Sequence, residues 1–278
     1  MDLKRGLDSI IKAAENHPTL ENHKTYIGED GLLHCSVCEE KVQTNIEVFG
    51  IEKKVRCICK CEQKKLKEQE MKIEQEKKAK LIKDLRRSGF HDDKFKRCTF
   101  EANKLDNRAI NAGKRYAKKF EEMKEKGVGI LLFGDVGVGK TFLAACIVNS
   151  VIDQGYSAIM TNFSRIINTV QETFDQRQKY LDSLNSVDLM VIDDLAVERK
   201  TDYVKEMIYQ IIDNRYRSGK PLIVTTNLAI ENLINATDIS DKRTYSRILE
   251  MCNPLKMEGE NLRIKQFVHK RNVDKNET

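Results

Sequence analysis

The sequence contains no tryptophan, only three prolines and no uninterrupted apolar run of the length that a membrane span requires. Its first ten residues, MDLKRGLDSI, do not have the apolar stretch of a secretory signal peptide. Because proline interrupts helices, so few prolines together with 33% charged residues favour a helix-rich protein. We therefore expect a soluble, intracellular protein that is located in the cytoplasm and has no membrane partner.

Length and charge limit the possibilities further. With 278 residues, the chain can form one α/β domain of ordinary size and a smaller appendage. Hydrophobic residues make up 40% of the sequence, which is enough to fill a core. The formal net charge of +6 is compatible with an anionic partner but does not require one, since many basic proteins bind none.

A glycine-rich stretch, LLFGDVGVGKT at residues 131–141, matches the pattern G-x-x-x-x-G-K-[ST]. It lies between an apolar run that predicts a strand and a pattern that predicts a helix, which is the context that a phosphate-binding loop requires. In such a loop Lys140 reaches the β- and γ-phosphates of a nucleoside triphosphate, and Thr141 ligates Mg²⁺. The residues that we expect to contact the nucleotide are Gly134, Asp135, Val136, Gly137, Val138, Gly139, Lys140, Thr141 and Phe142.

Two later apolar runs end in polar side chains that suit the same site. LMVIDD, at residues 189–194, predicts a strand whose Asp193 holds Mg²⁺ and whose Asp194 orients or deprotonates a water molecule. Asp194 could instead cap the following element. LIVTTN, at residues 222–227, places Asn227 where its amide could hold the attacking water, although a simple turn of small polar residues is the alternative.

Predicted strands alternate with predicted helices from about residue 105 onward. Because the strands are continuous apolar runs, we expect an α/β fold with a parallel sheet covered by helices on both faces. The part that begins at Ile230 is predicted to be mostly helical. We place the domain boundaries at 1–61 for a small N-terminal domain, 62–89 for a charged helical linker and 90–278 for the nucleotide-binding domain.

Eight cysteines in an intracellular protein point away from disulfides. Five of them lie between residues 35 and 61, which is typical of a metal site. We expect Zn²⁺ to be bound by four of these five: Cys35, Cys38, Cys57, Cys59 and Cys61. The spacing C-x-C-x-C leaves open which two of the last three bind, with His34 as a weaker candidate and an iron–sulfur cluster as a less favoured alternative. The other three, Cys98, Cys146 and Cys252, are expected to be small buried hydrophobic residues.

Two segments flank the cysteine-rich region. Residues 2–15 carry a helical apolar stripe, which could pack on its own domain or be offered to the groove of a partner. Residues 62–87 hold ten Lys or Arg against six Asp or Glu and contain no glycine or proline. This composition predicts a long, solvated connecting helix, and its basic surplus could also contact nucleic acid.

The motifs GDVGVGKT, VIDDLAVE, NRYRSGKP and LIVTTNL, in this order, resemble those of the AAA+ ATPases of the DnaC/DnaI helicase-loader family. The resemblance extends over residues 90–268, and loaders from phages and prophages of Gram-positive bacteria look most similar. It implies an AAA+ domain that binds ATP with weak hydrolysis, and an N-terminal zinc domain that binds a hexameric replicative helicase of the DnaB type. It also implies binding of single-stranded DNA and self-association through an arginine finger.

For that finger the resemblance favours Arg247 over Arg243, and it suggests Arg263 as a second sensor of the nucleotide. Arg215, Tyr216 and Arg217 could contact DNA, although packing and salt bridging explain them equally well. Two other functions stay open. One is a transposase-assisting ATPase of the IstB type, and the other is a DNA-binding adaptor with an ATP switch of low turnover.

Overall fold

The computed structural model describes residues 24–48, 50–102, 107–172, 174–195 and 201–265. The chain divides into two compact units, Met1–Ala79 and Lys80–Thr278. The apolar stripe predicted for residues 2–15 lies outside the described residues. Within the described part, no helix is both long and apolar enough to cross a membrane.

The first unit is built from two short antiparallel hairpins. Strand β1 (Thr25–Ile27) pairs with β2 (Leu33–Cys35), and β3 (Gln43–Val48) pairs with β4 (Ile51–Arg56). Helix α1 (Lys60–Gly89) begins directly after the second hairpin. Both hairpins are largely exposed, so the described part of this unit buries few apolar side chains.

Helix α1 agrees with the helix predicted for residues 62–87. Its long middle part is exposed, as its charged composition leads one to expect. In the second unit, the partly buried Ile82 and Leu85 pack against the core. The helix ends at Gly89, where an added Cβ would lie 2.6 Å from the backbone oxygen of Ala158. No larger residue fits there without a shift of the backbone.

The second unit contains a sheet of five parallel strands in the order β6-β7-β8-β5-β9. The strands are β5 (Gly129–Phe133), β6 (Ala158–Thr161), β7 (Leu189–Leu195), β8 (Leu222–Thr226) and β9 (Cys252–Lys256). Strand β5 lies between β8 and β9, so the chain continues from neighbouring strands to opposite sides of the sheet. This makes the carboxyl end of β5 a topological switch point. In open parallel sheets, ligands bind at such a point.

Helices cover both faces of this sheet, as the continuous apolar strands predicted. They are α2 (Arg108–Lys118), α3 (Phe120–Glu125), α4 (Lys140–Asp153), α5 (Phe163–Glu172), α6 (Arg177–Ser186), α7 (Asp202–Ser218), α8 (Ile230–Ile234) and α9 (Ile239–Met251). Successive strand residues enter opposite cores, since Leu132 packs with α2–α4 and Leu131 packs with α5–α9. The α/β fold class is therefore confirmed.

The C-terminal part is mostly helical within the described residues, as predicted. Residues 252–256, however, form the edge strand β9, which was not predicted and which pairs in parallel with β5. The sequence CNPLK has no apolar run and contains Pro254, so it does not look like a strand. An edge strand tolerates proline because one of its sides has no hydrogen-bonded neighbour.

Candidate functional site

The glycine-rich loop connects the end of β5 to the start of α4. Gly134 and Gly137 have φ angles of 141° and 84°, which favour glycine. A Cβ at Gly134 would collide with the backbone oxygen of Met257, and one at Gly137 would collide with the side chain of Asn261. The loop is thus packed tightly against the segment that follows β9, where the N–H of Leu262 donates to the Gly137 oxygen.

Lys140, the first residue of α4, is buried with 5% of its surface exposed. Its ammonium donates to the backbone oxygens of Gly134 and Asp135 at 2.8 and 2.7 Å, and to Asn227 Oδ1 at 2.7 Å. Burial lowers the pKa of Lys140, and the nearby Asp194 acts in the opposite direction. The structure therefore brings Lys140 and Asn227 together, although 87 residues separate them.

Asp193 lies at the carboxyl end of β7 and accepts two hydrogen bonds through Oδ1. One comes from Thr141 Oγ1 at 2.9 Å, and the other comes from Thr225 Oγ1 at 2.6 Å. Burial raises the pKa of Asp193, which the hydrogen bond from Thr225 opposes. A carboxylate and a hydroxyl held side by side in this way are the protein ligands that Mg²⁺ accepts in nucleotide sites.

The adjacent Asp194 has a different environment. The pairing of β7 with β8 shifts register between Ile192 and Leu195, and Asp194 has a φ angle of 59°, which is uncommon for a residue other than glycine. Its N–H donates to Thr225 Oγ1 at 2.9 Å, while its side chain is exposed and lines the cavity beside the loop. This irregular stretch places the two neighbouring carboxylates in separate environments.

The loop forms one wall of a cavity of about 490 Å³. The lining residues are Lys94, Phe95, Cys98, Val136, Gly137, Gly139, Lys140, Thr141, Phe142, Asp194, Asn227, Leu262 and Arg263. Thr141, Asp194 and Arg263 also line a smaller neighbouring cavity of about 210 Å³ near the end of β6, and Asp193 lines this second cavity. Of the expected loop residues, Val138 is buried in the core, so only its backbone is available to a ligand.

The residues of this cavity fit a Mg²⁺-bound nucleoside triphosphate. Glycine is required at the tight turns, and the helix that starts at Lys140 adds the positive end of its dipole. Thr141 and Asp193 would hold the metal ion, which would offset the negative charge of the phosphates. Beyond the phosphates, Phe95, Phe142 and Leu262 provide apolar surface of the kind that accommodates a base.

A second constellation lies in the first unit. Cys35, Cys38, Cys59 and Cys61 have their sulfur atoms within 4.8 Å of one another. Tetrahedral thiolate coordination requires such an arrangement, and the set is compatible with Zn²⁺. A hydrogen bond from the backbone of Glu40 lowers the pKa of Cys38 to about 7, whereas the hydrogen bond with Cys38 and then burial raise that of Cys61 to about 12.

Two predicted candidates lie outside this cluster. The thiol of Cys57 is 3.3 Å from the backbone oxygen of Lys41 and is not among the four clustered sulfurs. His34 has its ring nitrogens 3.0 Å from the Glu39 oxygen and 3.0 Å from Asp30 Oδ1. The structure thus selects Cys59 and Cys61 from the C-x-C-x-C run, a choice that the spacing left open.

The two candidate finger arginines lie together on α9. Arg247 forms an ion pair with Asp213, with Nε 2.6 Å from Oδ1, and its guanidinium lies over the rings of Tyr209 and Tyr216. Arg243 is exposed and donates to the hydroxyl of Tyr209 at 2.9 Å. The role of either arginine in a neighbouring subunit stays a prediction, as does the role of Arg263 as a sensor.

The three residues considered for DNA contact have partners within the chain. Arg215 is completely buried and donates only to backbone oxygens, so packing accounts for it. Tyr216 donates to Glu250, and Arg217 pairs with Asp213. Of the two interpretations of Arg215, packing is therefore the one that the structure supports.

Several cavity residues were not predicted. Lys94 and Phe95 lie in a 3₁₀ helix more than 30 residues before the loop, and Cys98 directly follows this helix. No local pattern identifies the three residues. Cys98 was expected to be a buried hydrophobic residue, whereas it is half-buried and lines the cavity. Thr225 was noted only as part of a polar strand end. Its contact with Asp193 becomes apparent only when β7 and β8 are paired.

The parallel sheet, the glycine loop at its switch point and the paired acids define a P-loop ATPase fold of the AAA+ type. The family model described as IstB-like ATP-binding protein matches residues 91–270. The chain therefore belongs to this family of ATP-binding proteins.

Individual relatives are consistent with this assignment. The chain is 29% identical over 182 residues to the replicative helicase loader DnaC of Escherichia coli K12, which covers 63% of this chain and 73% of the relative. It is 25% identical over 150 residues to the replicative helicase loader DnaI of Bacillus subtilis, covering 50% and 48% of the two chains. A crystal structure of the DnaC helicase loader aligns with a TM-score of 0.53 and 23% identity, covering 60% of this chain and 100% of that one. The resemblance to DnaC and DnaI seen in the motifs is confirmed.

Proposed function

We propose that the chain is an ATP-dependent loader of a replicative helicase. In this proposal the AAA+ domain binds ATP and single-stranded DNA, the cysteine cluster holds Zn²⁺, and the N-terminal unit binds the hexameric helicase. ATP hydrolysis releases the loader once the helicase is on DNA. The observation that carries the proposal is the network joining Lys140 to Asn227 and Thr141 to Asp193 and Thr225, in a region similar to proteins named helicase loaders.

The residues of the cavity divide the chemistry of hydrolysis among them. Lys140 would exchange its backbone acceptors for phosphate oxygens and offset their negative charge. Asn227 and Asp194 would orient a water molecule for in-line attack on the γ-phosphate, with the exposed Asp194 carboxylate available to accept its proton. Asp193 is less suited to take that proton, because Thr141 and Thr225 already donate to it.

Self-association is supported by the position of the arginines. Three arginines are candidates for contact with the phosphates: Arg243, Arg247 and Arg263. Among the described residues that line the two cavities, only Arg263 is one of these three, so Arg247 and Arg243 are available to act on another subunit. Arg247, our first choice, would have to exchange Asp213 for the phosphate of its neighbour. Asp213 and the two tyrosines keep its guanidinium ordered until then.

The alternative of an IstB-type transposase helper has one specific observation in its favour, namely the description of the matching family. The cysteine cluster and the curated relatives named DnaC and DnaI favour the loader. The two functions differ in the protein that is captured, a replicative helicase in one case and a transposase in the other. An adaptor with an ATP switch would differ from both by its low turnover of ATP.

The proposal is tested with the full chain bound to immobilised replicative helicase. We expect wild-type protein to bind and then to dissociate on addition of ATP and single-stranded DNA. Lys140→Ala should still bind but should fail to dissociate and should lose ATP hydrolysis, because the phosphates lose their fixed counter-charge. Lys126→Ala serves as a control, since this lysine is exposed and pairs with Glu122 on the surface. Failure of the wild-type chain to bind any replicative helicase would refute the loader function, and unchanged hydrolysis in Lys140→Ala would refute the assigned ATP site.

A further inference from the structure

Asn149 is a buried polar residue in α4, the helix whose first residue is Lys140. Only 2% of its surface is exposed. Its Nδ2 donates to the backbone oxygens of Phe95 at 2.8 Å and Cys98 at 2.9 Å, and it also lies 3.1 Å from the Ala145 oxygen. Its Oδ1 has no hydrogen-bond partner within the part of the chain that the structure describes, so the contact uses the amide as a donor.

The two acceptors belong to the segment that lines the nucleotide cavity. Asp93–Arg97 forms a 3₁₀ helix that Cys98 directly follows, and both Phe95 and Cys98 line the cavity together with Phe142 and Leu262. A triphosphate held by the loop must extend its nucleoside away from Asp193 and Lys140, into the remaining, more apolar part of this space. A planar base would therefore lie against the segment that Asn149 holds.

Other contacts hold this segment further upstream. Arg165 lies 3.6 Å from Asp92, and Phe90 forms an isolated parallel bridge with Met160 of β6. These contacts fix the start of the segment, whereas Asn149 acts on the stretch that faces the cavity. Since Asn149 is nine residues after Lys140, one helix sets the distance of about 14 Å along its axis between the phosphate end and this wall.

We propose that Asn149 is a positioning residue for the base of the bound nucleotide. Its hydrogen bonds to the backbone oxygens of Phe95 and Cys98 fix this segment to α4. They thereby set the position of the base-binding surface relative to the phosphate loop. The affinity for the nucleoside part therefore depends on Asn149, while the affinity for the phosphate part does not. This inference rests on the proposed binding of ATP.

The test compares two ligands that share phosphates but differ in the base. The Kd values of ATP and inorganic tripolyphosphate, each with Mg²⁺, are measured calorimetrically for the full chain and for Asn149→Leu. Leucine has a similar volume but leaves the Phe95 and Cys98 oxygens without their donor. We expect ATP to bind about tenfold more weakly, as for loss of a net interaction of roughly 1.4 kcal/mol, and tripolyphosphate to bind as in the wild type.

The matched control is Gln154→Leu, at the residue that directly follows the same helix. The Gln154 amide also donates to a backbone oxygen of another helix, that of Ala117 at 2.9 Å, but Gln154 is not among the described residues that line the cavity. We expect no change in the ratio of the two Kd values. Alkylation of the Cys98 thiol, followed peptide by peptide, should be faster in Asn149→Leu than in Gln154→Leu if the segment has been released.

If Asn149→Leu raised the Kd values of both ligands equally, the inference would be overturned in favour of a general structural role. Unchanged Kd values for both ligands would also overturn it, because Asn149 would then have no effect on binding. If the leucine variant does not fold, Asn149→Val decides by the same ratio, because valine also lacks a donor for the two oxygens and is smaller than leucine. A wild-type chain that binds tripolyphosphate but not ATP would instead refute the proposed nucleotide function itself. The two failures are therefore distinguishable.

Discussion

Thr225 shows how a single side chain can organise both acids of the site. Thr225 is completely buried, and its hydroxyl donates to Asp193 Oδ1. The hydroxyl oxygen, Thr225 Oγ1, also accepts a hydrogen bond from the N–H of Asp194. One hydroxyl thus orients the carboxylate expected to bind Mg²⁺ and fixes the backbone of the acid expected to hold water. Groups that orient metal ligands in this way commonly affect metal affinity as much as activity.

We predict that Thr225→Val, which keeps the shape of the side chain, weakens the affinity of the site for Mg²⁺. The metal concentration for half-maximal ATP hydrolysis should rise by about 10- to 100-fold, because Asp193 loses its shortest hydrogen bond. Thr226→Val is the control, since the Thr226 hydroxyl donates to the backbone oxygen of Leu195 instead. Equal Mg²⁺ requirements in the two variants would contradict the role given to Thr225.

At the scale of elements, Arg215 connects the end of α7 to three other segments. Its guanidinium donates to the oxygens of Val187 and Asp188, just before β7, and to that of Pro221, just before β8. The oxygen of Asn185, near the end of α6, lies 3.3 Å away. Burial lowers the pKa of Arg215 to about 10, so it stays charged at neutral pH. The Arg215 guanidinium therefore donates hydrogen bonds to backbone oxygens at the ends of these secondary-structure elements, where the regular pairing within each element stops.

We therefore predict that Arg215→Met lowers the free energy of unfolding by about 3 kcal/mol, because several buried oxygens lose their donor. Arg217→Met should change it by less than about 0.5 kcal/mol, since 74% of that side chain is exposed. Urea denaturation measures both. Weakened DNA binding without loss of stability in Arg215→Met would contradict this assignment.

Asp188 lies at the amino-terminal end of the sheet, where it contacts Ser157 and Lys124. We expect it to contribute to the pH dependence of the free energy of unfolding in acid. Burial opposes its ionisation, but hydrogen bonds from Lys124 and Ser157 outweigh burial and lower the pKa of Asp188. A lowered pKa in the folded state means that stabilisation is complete above the unfolded pKa of about 4 and is lost as the pH falls through the folded value.

We predict that Asp188→Asn makes the free energy of unfolding depend less steeply on pH below about 4. Near pH 7 the variant should be less stable than the wild type, because the ion pair with Lys124 is absent. Asp182→Asn, an exposed change on α6, controls for the loss of one carboxylate. Urea titrations between pH 3 and 7 provide the measurement, and identical pH profiles for the two variants would rule out this role of Asp188.

For the whole molecule, the two units differ in how they gain stability. The second unit has two large cores, one on each face of its sheet. In the described part of the first unit, the buried apolar residues are Leu32, Cys35, Val42 and Cys59. So small a core rarely suffices without a metal ion or disulfides. We therefore expect the first unit to depend on its bound metal for folding.

We predict that Cys59→Ser abolishes stoichiometric zinc in the purified full-length protein, as measured by atomic emission. In scanning calorimetry the first unit should lose its cooperative transition, while the second unit should unfold as in the wild type. Cys57→Ser is the matched control and should retain one zinc ion per chain, because Cys57 lies outside the four clustered sulfurs. Zinc loss in Cys57→Ser, or retention in Cys59→Ser, would contradict the ligand set.

Much of the ATP site could be predicted because its chemistry is carried by contiguous residues. The loop from Gly134 to Thr141, the acids at the end of β7 and the α/β alternation depend on local spacing and hydrophobic pattern. The strand β9 could not be predicted in this way, because its sequence CNPLK has no local strand pattern. It is a strand because it pairs with β5, which is far away in the chain.

The sequence by itself thus determined that this is a P-loop protein with a thiol-rich N-terminal region. Only the tertiary structure decided that Cys57 is left out of the cluster and that Arg215 is a buried support. It alone also showed that Phe95 and Cys98 line the cavity and that Asn149 donates to their backbone oxygens. The physical reason is that these roles depend on contacts between residues far apart in the chain. Such contacts are set by the packing of whole elements, which no short pattern of residues records.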